Sequence, residues 1–309
     1  MDRILNVAQV LAPILVTVFL GILAKRRKLL TLDQVKGLQQ FVLQFGLPCL
    51  IFNSCLTARI GAESLGTMGL VLSVMAVSTF WAYRARKKQL PYHNLPQLFC
   101  AQETGMLGIP LFAVLFGADQ AYRMGILDLT QATLAFPTIA ILSSDMGSTP
   151  SPKEILRKVF TSPMLIMCLI ALALNLTGVG AVLDTLGILP VITGSTEFLA
   201  QPVSAMMIFC AGYSFSLDSR CRSAIFRVSA IHFTMFAVFC GLIHLGLFLI
   251  PNVDVLTRWS ILLFCALPGS YLAPGLGRTE EDITVASGVC SLLTVSCLVI
   301  FCIMACFVM

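Results

Sequence analysis

Charge is what this chain has least of. Only 11% of its 309 residues are Asp, Glu, Lys or Arg, while 58% are hydrophobic and the mean hydropathy is +0.92. A soluble domain carries about a quarter charged residues, so the polar surface a water-soluble particle needs is missing. That excludes a soluble enzyme, a nucleic-acid reader and a disordered chain. The net charge of +5 does not reopen nucleic-acid binding, because the basic residues sit between apolar runs. Histidine is scarce too, with three residues and none at zinc-ligand spacing. His232 and His244 lie about 18 Å apart along a helix, too far to share a metal. There is no HExxH, GxSxG, P-loop or Rossmann fingerprint. No enzyme and no ATP motor within this chain is therefore expected, and no cofactor. No Cys pair forms CxxC. The 12 cysteines fall almost all within apolar runs, where a free thiol acts as a small hydrophobe rather than part of a disulfide framework.

What the chain has in abundance is apolar runs of spanning length. Ten can be marked off, at about 4–24, 38–56, 66–83, 98–117, 121–142, 160–180, 194–215, 224–250, 256–275 and 282–308. At about 20 residues per span they use roughly 200 residues. The expected fold is an all-α integral membrane protein with ten transmembrane helices. Lys25-Arg26-Arg27-Lys28 follows the first run instead of preceding it, so that run reads as a retained helix and not a signal peptide. Of the 20 Lys and Arg residues, all but Arg3, Arg59, Arg123 and Arg258 fall on one side of such a ten-span chain. The positive-inside rule makes that side cytoplasmic and leaves both termini outside a plasma membrane.

The longest polar connection, Ser143 to Lys158, lies at the midpoint and divides residues 1–150 from 151–309. Five spans on each side require the second unit to be inverted relative to the first, as in many secondary carriers. Proline-bearing segments echo one another in order. Gly46-Leu47-Pro48 in the second span faces Gln201-Pro202 in the seventh, and Leu107-Gly108-Ile109-Pro110-Leu111 in the fourth faces Leu272-Ala273-Pro274-Gly275-Leu276 in the ninth. Proline removes a backbone donor and clashes with the preceding turn. Gly105, Gly108 and Pro110 should therefore break the fourth span, and Pro268, Gly269 and Pro274 the ninth. Broken backbone at bilayer depth survives only inside protein or along a wet cavity. A binding site is expected between these two spans, with half-helix N-termini and their N–H donors beyond Pro110 and Pro274.

At these residues the chain resembles the auxin efflux carrier family, which includes plant PIN carriers and bacterial malonate-type permeases. The family segment is close to Asn-Thr-Gly-x-x-Gly-Ile-Pro-Leu. It reads here Glu103-Thr104-Gly105-Met106-Leu107-Gly108-Ile109-Pro110-Leu111. Ala266-Leu267-Pro268-Gly269-Ser270-Tyr271-Leu272-Ala273-Pro274 is similar to the second crossover, and Asp282, Ala286 and Ser287 follow as in relatives. The resemblance implies an inverted five-plus-five carrier in which helices 4 and 9 cross as an X. Helices 1, 2, 6 and 7 would form a scaffold, often a homodimer, and helices 3, 4, 5, 8, 9 and 10 a transport domain moving as an elevator. It also implies a small organic anion as the substrate partner.

Candidate substrate contacts are Gln102, Glu103, Thr104, Gly108, Pro110, Gln131, Ser270, Tyr271 and Pro274. Glu103 stands where the family usually has Asn. An acid near the midplane is costly and by default functional. Three readings stay open: it carries a proton during transport, it helps hold a cation such as Na⁺, or the substrate is not an anion. Asp128 lies one turn before Gln131 on the same face and is a second candidate for H⁺ or Na⁺ coupling. Asn53 and Gln201 accompany the scaffold prolines, Glu197 is expected at the interface, and Arg278 closely follows the second crossover. The leading expectation is a secondary carrier of a small organic acid or related metabolite. The alternative is a non-transporting receptor or sensor on the same fold.

Overall fold

The computed structural model describes residues 2–58, 61–144, 157, 161, 163–215 and 219–308. The expected linker lies almost wholly outside the described residues, as does Arg59. Among the described residues all the regular elements are helical, and the sole strand-like contact is an isolated antiparallel bridge between Gln102 and Gly269.

Helix α1 (Asp2–Arg26) ends at the basic cluster. A connection capped reciprocally by Thr31 and Gln34 leads into α2 (Leu32–Phe41), a wide turn (Val42–Gly46) and α3 (Leu47–Leu56). Then come α4 (Ala62–Lys88), α5 (Leu95–Cys100), a second wide turn (Thr104–Gly108), α6 (Ile109–Phe116) and α7 (Tyr122–Ser144). The second half runs α8 (Pro163–Thr177), α9 (Val179–Thr185), α10 (Ile188–Ala200), α11 (Val203–Ser214), α12 (Arg222–Gly246), α13 (Val255–Ala266) and α14 (Glu280–Val308).

Helix is present at each of the ten expected runs, but not as ten uniform spans. Among the described residues, four stretches are long and apolar enough to cross a membrane unaided: Leu32–Leu56, Glu63–Lys88, Arg222–Leu249 and Glu280–Val308. A fifth is the pair α8–α9, bent by 84°. The chain is a multi-pass membrane protein. The second run begins at Leu32 and the seventh at Ile188, both earlier than expected.

The two wide turns share a cause. Each precedes a Gly-x-Pro unit, Gly46-Leu47-Pro48 and Gly108-Ile109-Pro110. The proline ring crowds the carbonyl four residues back. Opening the turn by one residue relieves this, and the N–H groups of Leu47 and Ile109 donate five residues back, to the carbonyls of Val42 and Thr104.

Packing falls into two groups. Helix α1 lies against α11, and α3 lies against α8 and α10. Helices α4, α5 and α7 form a second group, joined by α12, α13 and α14. The α1–α11 seam is tight because Gly21 meets the Phe209 carbonyl and Gly212 meets the Val18 carbonyl, so a Cβ at either would collide with backbone. Small residues at such seams let helix backbones approach in an apolar medium. In the second group an aromatic stack runs from Trp81 through Phe99 to His232 and Phe236, with centroids 5.1, 5.1 and 4.5 Å apart. His232 is thus a packed core ring.

Candidate functional site

The fourth and ninth spans break where they meet. After α5 the backbone turns extended at Ala101, and after α13 it does so at Leu267. The two extended pieces pair edge to edge. Glu103 N–H donates to the Pro268 carbonyl at 2.9 Å, and Ser270 N–H to the Ala101 carbonyl at 3.0 Å. Backbone groups freed by each break are satisfied by the other break, as burial requires. Gly269 is placed where a Cβ would drive into the Leu98 carbonyl, so the closeness of the crossing depends on its having no side chain.

Side chains complete the crossing. Glu103 is 9% exposed, and its carboxylate accepts the Tyr271 N–H at 2.6 Å. Gln131, from α7, accepts the Gln102 N–H at 2.7 Å and donates to the Gln102 carbonyl at 2.8 Å. Its amide nitrogen also reaches Thr104 Oγ1 at 2.7 Å and Asp128 Oδ1 at 3.0 Å. The Thr104 hydroxyl donates to the same Asp128 oxygen. With its nitrogen turned to the Leu267 and Pro268 carbonyls, at 2.8 and 3.2 Å, the Gln102 side chain presents its oxygen to His232. Tyr271 extends to Thr294 on α14, hydroxyl to hydroxyl at 2.7 Å. Ser270 is buried, and its hydroxyl accepts the Leu272 N–H at 3.3 Å.

Gln102, Glu103, Thr104, Asp128, Gln131, Ser270 and Tyr271 therefore converge. Gly108 joins them through packing, because a Cβ there would touch the Leu267 side chain at 2.7 Å. Pro110 and Pro274 lie apart. Pro110 is buried inside α6, where its carbonyl accepts from Ser204 Oγ at 3.5 Å. Pro274 sits in a short turn, Ala273–Leu276. Two local expectations are corrected here. The helical turn after the first break starts at Thr104, ahead of Pro110, because the wide turn absorbs the proline. No half-helix follows Pro274. The next helix starts at Glu280, and the Asp282 carboxylate accepts the Arg278 and Thr279 N–H groups at its entrance, at 3.0 and 3.1 Å.

A cavity of about 1050 Å³ opens among α3, α6, α8, α9, α10 and α11. Asn53, Asn175, Glu197, Gln201 and Ser204 line it. Glu197 thus faces a cavity within α10, one turn from its end, and not a span start. Ser204 on its wall donates to the Pro110 carbonyl in α6. Sequence reasoning missed Asn175 and the cavity itself, because six helices from both halves of the chain build it. On the face where α7 and α13 begin, Arg123 forks onto Asp254 at 2.6 and 2.8 Å. Partial burial opposes ionisation of Asp254, but its bonds to Thr257 and the Arg123 charge outweigh this and hold the carboxyl below its ordinary value. No group of His, Cys, Asp and Glu among the described residues is arranged to hold a metal ion.

A polar crossing of broken helices inside an apolar multi-pass chain has the make-up of a membrane transport protein, and residues 6–149 match the family of that description, membrane transport protein. The match bears out the resemblance of the Glu103–Leu111 segment and supports an auxin efflux carrier-type permease. Members of that family are transporters, not enzymes. Among curated proteins, none matches the chain.

Proposed function

We propose that this protein is a secondary carrier that moves a small organic acid or related metabolite across the plasma membrane by an elevator-type alternation of access. Substrate binds where the fourth and ninth spans cross and enters from the Asn53–Gln201 cavity. Proton binding and release at Glu103 couples to the movement, with Asp128 as its neighbour in the same polar cluster. The five-plus-five inverted repeat, the external termini and a homodimer through helices 1, 2, 6 and 7 belong to the same reading.

The observation that carries it is Glu103. Its carboxylate is buried and bridges the two broken spans through the Tyr271 N–H. A buried acid that ties two interrupted helices together changes its contacts when the crossing rearranges, which is what coupling needs. The test is uptake into proteoliposomes of radiolabelled malonate, other dicarboxylates, indole-3-acetate and a neutral control, with and without pH and Na⁺ gradients. Saturable uptake of one acid driven by a pH gradient supports the reading. Uptake driven by Na⁺ alone moves the coupling ion. Binding without uptake replaces the carrier with a receptor on the same fold.

A further inference from the structure

Asn94 occupies the N-cap position of α5, where an Asn side chain ordinarily accepts from its own helix's first N–H groups. It makes no such bond. Instead its Nδ2 donates across the fold, to the carbonyls of Ala273 and Asp282, both at 3.0 Å. Its Oδ1 is left buried without a partner. A buried unpaired acceptor is costly, so the local helix end gives up stability for a long-range contact.

Asp282 answers from the other side. The residue is 4% exposed, and its carboxylate accepts three backbone N–H groups. Two belong to its own helix entrance, Arg278 and Thr279, and the third is that of His93 at 3.1 Å. The pair therefore joins the residues just before α5 to the turn Ala273–Leu276 and the start of α14. Those points are the far ends of the same two broken segments that meet at Gln102 and Gly269. His93 extends the join to α7, its Nε2 lying 3.2 Å from the Leu142 carbonyl, and to α4, where Arg86 Nη1 donates to the His93 carbonyl at 3.4 Å.

We infer that Asn94 and Asp282 are positioning residues that clasp the far ends of the two broken spans, so that the crossing at Gln102–Gly269 travels as one rigid piece. The clasp touches no substrate. It fixes the distance between α5 and the Ala273–Leu276 turn, and that distance fixes how the Glu103 and Tyr271 contacts face each other. The kinetic part of this inference rests on the carrier reading above, and the structural part does not.

The test uses the full chain in lipid nanodiscs and in proteoliposomes, as wild type, Asn94→Ala and Asp282→Asn. Hydrogen exchange is followed by mass spectrometry. Loss of two buried hydrogen bonds is expected to speed exchange at residues 101–104 and 269–272 by roughly tenfold or more, with α1 and α8 unchanged. Faster exchange confined to residues 92–95 and 278–283 would overturn the clasp, and so would a rise spread evenly over all helices. Should Asn94→Ala fail to fold, Asp282→Asn keeps the shape and carries the comparison alone. In proteoliposomes with malonate and indole-3-acetate as probes, the expected split is a Vmax lower by about tenfold with KM nearly unchanged. A raised KM with Vmax intact counts against the inference. If wild-type vesicles take up neither acid, the carrier reading fails for these substrates while the exchange result still decides the clasp.

Discussion

Gln131 holds Gln102 by both faces of its backbone, accepting its N–H and donating to its carbonyl. A single side-chain amide thereby acts as a neighbouring strand at a point where helix geometry has been given up. This makes Gln131 part of the frame of the crossing before it is anything else, and it consumes the groups that a substrate would otherwise meet.

Gln131→Leu should therefore cost stability and not affinity alone. It strands a buried N–H and a buried carbonyl, each worth about 1–3 kcal/mol. The expected result is a clear loss of thermal stability in detergent, larger than that of Asn53→Leu at the cavity wall. Equal melting temperatures for the two variants would mean that Gln131 does not brace the break.

Glu103→Gln keeps an oxygen to accept the Tyr271 N–H, so the fold should survive. What it removes is the exchangeable proton. Uptake measured across a pH series should lose its pH dependence, and a profile that stays wild type would reject the proton role.

Gly269→Ala forces a methyl group toward the Leu98 carbonyl, and backbone cannot move aside as a side-chain tip can. Overpacking of this kind costs about 1–3 kcal/mol. Gly275→Ala, with nothing within 4 Å of the new atom, is the control and should melt as wild type. The two melting curves settle the comparison.

The Arg123–Asp254 fork gives a pH test outside the membrane. Asp254 has a lowered folded-state pKa, so its stabilising contribution is fully present above its ordinary value of about 4. It is lost as pH falls through the lower folded value. Asp254→Asn should thus be less stable than wild type at neutral pH, by about 1 kcal/mol or less given its partial exposure. The gap between the two melting temperatures should close in strong acid. A gap that is constant with pH would show that the charge contributes nothing.

Much of this architecture is legible in the order of residues. Proline and glycine inside apolar runs mark the breaks at 104–110 and 268–275, and the acid at 103 announces itself by its cost in lipid. The basic clusters separate the runs. Other features are hidden because they depend on partners distant in the chain. Asn94 looks like an ordinary helix cap beside Leu95-Pro96, and only the fold shows its side chain serving α14. The wide turns are hidden for a different reason. A proline reads as a helix breaker, yet a one-residue expansion accommodates it and lets the helix begin before Pro110. The bend between α8 and α9 falls at Gly178, which stands in left-handed backbone within an otherwise apolar stretch.

Two seams along α11 are unequal. At Gly21 and Gly212 the backbones of α1 and α11 are in direct contact, an interface with no side-chain tips to disengage. The face that α11 turns toward α6 is different, because its polar tether is the long 3.5 Å bond from Ser204 to Pro110. A body that slides would part along that face first, and the cavity beside it would be the first space to lengthen.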